Sequence, residues 1–259
     1  MGSCCRLGPE RRADFAPPTA RNHAPSACRL NLTLFGRARV DSTIALVIFD
    51  CDGVLVDSEP IANRVFAEAL AELGLSMSES EMYAEFVGRS MSYCMERVEE
   101  RLGRPAPSDF VARLQERTFA AFEAEGLKAT EGIFEALDAI TTPTCVASSG
   151  EIEKMRFTLG STGLLPRFEG RLFSATQVAH GKPAPDIYLF AAEQMGVQPS
   201  RCVVVEDSPT GARAGLAAGM TVLGYCAHTP PDALARLGVH RTFDDMRKLP
   251  GLLRRTAAG

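Results

Sequence analysis

A chain of 259 residues, 46% hydrophobic and 23% charged, is long enough to bury an ordinary globular core and to carry a smaller inserted domain. Its formal net charge is −4, yet the first 42 residues hold seven Arg, no Lys and three acids, so that +4 sits there and −8 on the remainder. An acidic body argues against nucleic acid as a partner, and no run approaches the roughly 20 apolar residues that a membrane-spanning helix requires.

Residues 1–42 contain Pro9, Pro17, Pro18 and Pro25 among scattered Arg, with little periodicity. They are expected to form a disordered extension. Either a start site assigned too far upstream or a leader would account for it. Glu10 and Asp14 interrupt the basic run of a transit-type leader. Arg6 stands where a lipidated terminus would carry Ser or Thr.

The first predicted element is the run Ile44-Ala45-Leu46-Val47-Ile48-Phe49. Six consecutive apolar residues rich in β-branched and aromatic types read as a strand buried on both faces, as in a parallel sheet. Asp50-Cys51-Asp52-Gly53-Val54 follows directly. The two carboxylates therefore emerge at the carboxyl end of a strand, the edge where open α/β sheets bind ligands. Two acids held so close repel each other until a cation bridges them or one takes a proton. An ordinary surface turn accounts for Asp-x-Asp-Gly equally well. A calcium loop does not, because its twelfth position, counted from Asp50, is Ile61 and not Glu.

Residues 58–129 read as helices. Ile61, Val65, Phe66, Ala69, Leu70 and Leu73 recur at helical spacing before Gly74. Met91, Met95, Val98 and Leu102 do so before Gly103, and Val111, Leu114, Phe119 and Phe122 before Gly126. The Met and Phe stripes are the expected core of a helical insertion. From residue 130 strand and helix alternate. Strands are predicted at 144–147, 171–173, 202–205 and 220–223. Helices are predicted at 131–140, 151–160, 185–195 and 209–218 and, on fainter periodicity, at 231–237 and 243–248. The expectation is an α/β fold, a doubly wound parallel sheet built from 43–57 and 130–259, with a helical domain inserted at 58–129.

Three further features lie where strands end. Ser148-Ser149-Gly150 offers a hydroxyl and free backbone N–H groups at a helix start, either as an anion site or as a plain cap. Gly181-Lys182-Pro183-Ala184-Pro185-Asp186 holds one Lys in a loop stiffened by prolines, as surface charge or as a phosphate ligand. Glu206-Asp207-Ser208-Pro209 ends a third apolar run. A cap accounts for Asp207 or Ser208 but leaves Glu206 without a role, whereas a second acidic pair beside the first can complete a magnesium site. Cys51, Cys94, Cys145, Cys202 and Cys226 stand singly without CxxC spacing and read as small hydrophobes in a reducing cytoplasm. His23, His180, His228 and His240 show no zinc spacing.

The ordered set Asp-x-Asp, Ser, Lys and Glu-Asp resembles the haloacid dehalogenase-like hydrolase superfamily, over about residues 43–250. The segments Phe49-Asp50-Cys51-Asp52-Gly53-Val54-Leu55-Val56-Asp57-Ser58 and Val205-Glu206-Asp207-Ser208 are highly specific matches. The resemblance implies a helical cap at 58–129, Asp50 as nucleophile and Asp52 as general acid and base. It also implies Ser148, with Ser149 beside it, and Lys182 as phosphate ligands. Mg2+ would be held by Asp50, the backbone carbonyl of Asp52, Asp207 and Glu206, the last directly or through water.

Asp52 and the later acids argue against dehalogenation, which needs neither. Among the remaining branches, β-phosphoglucomutase-like enzymes carry a His ten residues after the second Asp, where this chain has Ala62. That departure favours hydrolysis over isomerisation. The stretch from Ile140 to Gly150, with Lys154-Met155 and Leu159-Gly160, looks like the bacterial 6-phosphogluconate phosphatase type. The expected substrate is therefore a small phosphorylated sugar or sugar acid. Arg89 is a candidate contact for a distal hydroxyl or carboxylate, or a solvated helix-start residue. His228 is expected near the same edge. The oligomeric state is left open.

Overall fold

The computed structural model describes residues 44–86 and 91–257, so the expected extension at 1–42 lies outside the described residues. The chain runs through β1 (Leu46–Phe49) and β2 (Val56–Asp57) into α1 (Glu59–Glu72), α2 (Glu79–Phe86), α3 (Met91–Leu102) and α4 (Phe110–Glu125). It returns through β3 (Lys128–Ala129), α5 (Ile133–Ala139), β4 (Thr144–Ser148), α6 (Ile152–Ser161), α7 (Leu165–Phe168) and β5 (Leu172–Ser174). The last elements are α8 (Asp186–Gln194), β6 (Cys202–Glu206), α9 (Pro209–Ala217), β7 (Thr221–Tyr225), α10 (Pro231–Ala235), β8 (Arg241–Phe243) and α11 (Leu249–Ala257).

Six strands form one sheet in the order β5-β4-β1-β6-β7-β8, every pair parallel. The chain leaves β1 for β4 on one side and later comes back to β6 on the other. β1 therefore flanks the topological switch point, where open α/β sheets form their ligand crevice. All four residues of β1 are fully buried, as its uninterrupted apolar run requires. Alternate residues feed two layers. Val47, Phe49, Val146, Val203 and Val205 pack with Ile133, Met155, Leu159 and Phe168 on one face. Leu46, Ile48, Cys145 and Val204 pack with Ile187, Tyr188 and Ala212 on the other. This is the doubly wound sheet expected from the sequence.

The helices α1 to α4 bury a separate apolar cluster of Val65, Phe66, Leu70, Met82, Phe86, Cys94, Val98, Phe110 and Leu114. Edge-to-face stacking of Phe66 on Phe86, with centroids 5.1 Å apart, ties α1 to α2. The two strands that lead into and out of these helices pair antiparallel, Val56 with Ala129 and Asp57 with Lys128. The helical segment thus leaves and rejoins the sheet through one short ribbon.

One element is corrected. The helix expected at 243–248 is instead the end of β8, a cap at Asp245 and a 3-10 turn over Met246–Lys248, with α11 beginning only at Leu249. Asp245 accepts the backbone N–H of Arg247 at 2.9 Å, starting the turn. Pro250 falls in the first turn of α11, where a missing N–H costs nothing.

Ile48 lies in the central strand with no exposed surface. Ile48→Ala is expected to lower unfolding stability by about 2–5 kcal/mol, read as a shift of the urea midpoint at unchanged slope.

Candidate active site

The ladder between β1 and β6 continues past the strand, because the backbone N–H of Asp50 donates to the carbonyl of Val205 at 3.0 Å. This fixes the first acid directly beside the tip of β6. The chain then turns back on itself, with Gly53 donating to the Val56 carbonyl at 2.8 Å. Gly53 has φ +74°, and a Cβ there would stand 2.1 Å from Asp207 Oδ2. Glycine is needed both for the turn and to let the second acidic strand end approach.

Lys182 reaches the same point from the loop before α8. Its Nζ donates to Asp50 Oδ1 at 2.9 Å, Glu206 Oε1 at 2.8 Å and the Ala147 carbonyl at 3.2 Å. Three donors meet three acceptors, so the ammonium is fixed without solvent. It also stands 4.9 Å from the centroid of the Tyr188 ring, within cation–π range. Burial disfavours its charge, but Asp50 and Glu206 outweigh that and hold its pKa well above the ordinary lysine value.

Glu206 is fully buried, and four hydrogen bonds occupy its carboxylate. Oε1 accepts from Lys182 and from the Tyr188 hydroxyl at 2.8 Å. Oε2 accepts from the backbone N–H and the hydroxyl of Ser208, each at 3.0 Å. Burial pushes its pKa up, but Lys182 outweighs the burial, Ser208 and Tyr188 assist, and the group lies below its ordinary value. A Cβ at Gly211 would stand 1.5 Å from Oε1, so α9 carries glycine where this side chain passes.

Asp207 is nearly as buried, yet its carboxylate accepts no hydrogen bond from any described residue. Burial pushes its pKa well above the ordinary value, with Glu206, Asp50 and Glu59 adding to the rise. Burial also raises Asp50 to about 7 against the pull of Lys182. One carboxylate oxygen from each of Asp50, Glu206 and Asp207 lies within 4.8 Å of the others. Three acids share one ammonium there. Hard oxygen donors with an excess of negative charge and one unpartnered carboxylate suit a divalent cation such as Mg2+.

Asp52 is held apart from this cluster. Its Oδ1 accepts from the Ser58 hydroxyl at 2.9 Å and its Oδ2 from Lys154 Nζ at 2.7 Å. Burial opposes its charge, but Lys154 outweighs it and keeps the pKa below the ordinary value, with Ser58 assisting.

The structure therefore brings together Asp50, Lys182, Glu206 and Asp207, with Asp52 two residues along the turn. Ser148 ends β4 next to Ala147, whose carbonyl holds Lys182; its buried hydroxyl accepts the Gly150 N–H at 3.0 Å. Ser149 is exposed in the same turn. Arg89 lies outside the described residues. His228 bonds not to the acids but to Asp57 on the ribbon, Nε2 to Oδ1 at 2.9 Å. Sequence reading overlooked Ser58 and Tyr188. A Tyr in the apolar helix α8 reads as core, although a buried hydroxyl needs a polar partner, and that need was the available signal.

A family profile for haloacid dehalogenase-like hydrolases matches residues 44–219. The chain belongs to that family. It is 33% identical over 213 residues to the 6-phosphogluconate phosphatase of Escherichia coli (strain K12), covering 82% of this chain and 95% of that one. Among solved structures it resembles a haloacid dehalogenase-like protein of unknown function from Agrobacterium tumefaciens str. C58. The TM-score is 0.74 at 36% identity, over 83% of this chain and 99% of the other. A family hydrolase from Deinococcus radiodurans R1, with bound phosphate and sodium, matches with a TM-score of 0.69 at 35% identity, over 83% and 97% of the two chains. Membership accounts for the sheet order and for the position of the acids at its switch point.

Tyr188→Phe removes one donor to the buried Glu206 without changing the ring. It is expected to lower unfolding stability by about 2 kcal/mol, the range for a hydrogen bond to a charged group, as measured by urea denaturation.

Proposed function

We propose that the protein is a magnesium-dependent phosphatase that hydrolyses a small phosphorylated sugar or sugar acid through an aspartyl phosphate on Asp50. The observation that carries this reading is the Lys182 ammonium clamped against Asp50 and Glu206, with the unpartnered Asp207 beside them. A buried acid that bonds an immobile ammonium is poised to meet a dianion that the same ammonium helps to neutralise. The likeness to a 6-phosphogluconate phosphatase supports phosphate monoesters of sugars as the class. No described helix is long and apolar enough to cross a membrane.

In the first half-reaction an Asp50 oxygen attacks phosphorus in line. The bond from phosphorus to the ester oxygen breaks, its electron pair stays on that oxygen, and Asp52 supplies the proton that makes it an alcohol. In the second, Asp52 takes a proton from water as the water oxygen attacks phosphorus, the bond to Asp50 breaks, and inorganic phosphate leaves with the Asp50 carboxylate and the protonated Asp52 regenerated. Lys182 neutralises charge on the phosphoryl oxygens throughout, while the Ser148 hydroxyl, which accepts the Gly150 N–H and keeps its own proton to donate, and the Ser149 N–H beside it bind those oxygens. Asp50, the Asp52 carbonyl and Asp207 would hold Mg2+, which supplies electrostatic stabilisation of the phosphoryl group. Glu206, with its four lone-pair sites filled, holds Lys182. The helices α1 to α4 act as the cap, joined to the core by the β2–β3 ribbon, and Arg89 is the cap's contact with the distal part of the substrate.

Ala62 carries no side chain able to shield an aspartyl phosphate or assist Asp52, so water is the final acceptor. The test is phosphate release from a panel of sugar phosphates that includes 6-phosphogluconate. Turnover is expected with Mg2+, loss of it with EDTA, recovery on adding Mg2+ back, and none with Asp50→Asn. Wild-type release no greater than that of the variant on every substrate would overturn the reading. Conversion of glucose 1-phosphate to glucose 6-phosphate would replace hydrolysis by isomerisation.

Asp207→Asn removes the carboxylate that no donor among the described residues satisfies. It is expected to raise the Mg2+ concentration needed for half-maximal activity by about tenfold or more, read from a magnesium titration at saturating substrate.

A further inference from the structure

Building on the phosphatase reading, we propose that Lys154 is the positioning residue of the proton carrier. Together with Ser58 it fixes the plane of the Asp52 carboxylate at the rim of the site. The two donors come from different parts of the molecule and take different oxygens. Ser58 precedes α1 on the helical segment and binds Oδ1 at 2.9 Å; Lys154 stands in the first turn of α6 in the core and binds Oδ2 at 2.7 Å. A carboxylate bonded on one oxygen swings about its own axis. Bonded on both, it does not. Each oxygen keeps a second lone-pair site, so the proton that Asp52 gives and later recovers has a place to sit while both anchors remain.

The path of Lys154 is itself constrained. Its stem crosses Gly150, where an added Cβ would lie 3.1 Å from Lys154 Cδ. That glycine is pinned from both sides, its N–H donating to Ser148 Oγ at 3.0 Å and its carbonyl accepting from Ser174 Oγ at 2.8 Å. The stem of Lys154 therefore runs against a backbone that is bonded to the ends of β4 and β5. Ordinary exposed ion pairs are weak because both partners are flexible and solvated. Here both side chains are mostly covered, 29% and 24% exposed, and the partner is the residue that must meet the leaving oxygen and then the attacking water at one point. Placement of that kind governs proton-transfer rates. Lys182 already meets the charge of Asp50 and Glu206, so Lys154 is not needed to balance them.

The test separates proton delivery from phosphate binding. With a sugar phosphate, whose alkoxide must be protonated as it leaves, Lys154→Met is expected to lower kcat/KM by about 100-fold. With p-nitrophenyl phosphate, whose leaving group departs unprotonated, the first-turnover burst of nitrophenolate is expected to fall far less. Lys154→Arg is expected to restore part of the sugar phosphate activity. In an Asp52→Asn background, Lys154→Met is expected to add no further loss, because both changes act through one group. Equal loss on the two substrates, no loss on either, or an undiminished extra loss beside Asp52→Asn would overturn the proposal. Should Lys154→Met not fold by circular dichroism, Lys154→Gln carries the same comparison. Absence of turnover by the wild-type enzyme on both substrates would instead sink the phosphatase reading itself.

Discussion

The site depends on one buried contact, the ammonium of Lys182 held between Asp50 and Glu206 with the Ala147 carbonyl as third acceptor. Each acceptor belongs to a different part of the sheet: Asp50 to the end of β1, Ala147 to β4 and Glu206 to β6. A single cation therefore ties three adjacent strand ends together. Burying an ion is expensive unless it is paired and its hydrogen-bonding capacity is filled. That condition is met here for Lys182 and for Glu206, whose remaining acceptor sites go to Tyr188 and Ser208. Removing any partner leaves a charge stranded in the interior.

The same contact explains why the acids differ. Glu206 is satisfied by protein donors and held charged, while Asp207, its chain neighbour, has none among the described residues and is pushed toward its neutral form by burial. Adjacent residues at a strand end point to opposite sides, so one carboxylate enters the layer beneath the sheet edge and the other faces the crevice beside Gly53. The division follows from strand geometry. An inward acid serves as scaffold for the lysine, and an outward acid remains available to a cation. The two glycines that graze these carboxylates, Gly211 against Glu206 and Gly53 against Asp207, are the complementary half of that arrangement.

Much of this was legible in the residues. The apolar run 44–49 read directly as the central strand because a strand buried on both faces leaves no polar alternation to interpret, and the same holds for Val203-Val204-Val205. The acids at the tips of these strands were visible for that reason. The division of labour between Glu206 and Asp207 was not, since it rests on which way each side chain turns and on Tyr188, a residue whose only sequence signal was a hydroxyl in an apolar helix. The pairing of Lys154 with Asp52 was likewise hidden, as it joins residues brought together only when β4 lies beside β1. At the carboxyl end the reading failed for a local reason: Asp245 caps a 3-10 turn directly after β8, so that α11 begins only at Leu249.

The turn from Asp50 to Ser58 links the chemistry to the helical segment. It begins in the β1 ladder, holds Asp52 at its middle and ends on Ser58, which bonds back to Asp52 while opening α1. The next side chain toward the sheet, Asp57, lies on the ribbon and is bonded to His228 from the loop after β7. Movement of the helices about this ribbon would therefore act first on Ser58 and on the Asp57–His228 contact, before it reached Asp50 or Lys182, whose mutual bond and further partners lie at the ends of the sheet strands. Asp50 and Lys182 thus bond only within the core, whereas Asp52 takes one partner, Ser58, at the start of the helical segment and the other, Lys154, from the core. On the proposed phosphatase reading, such an arrangement would keep the phosphate-binding end constant while the helices adapt to different distal groups, and Asp52 would be the residue at which the two requirements meet.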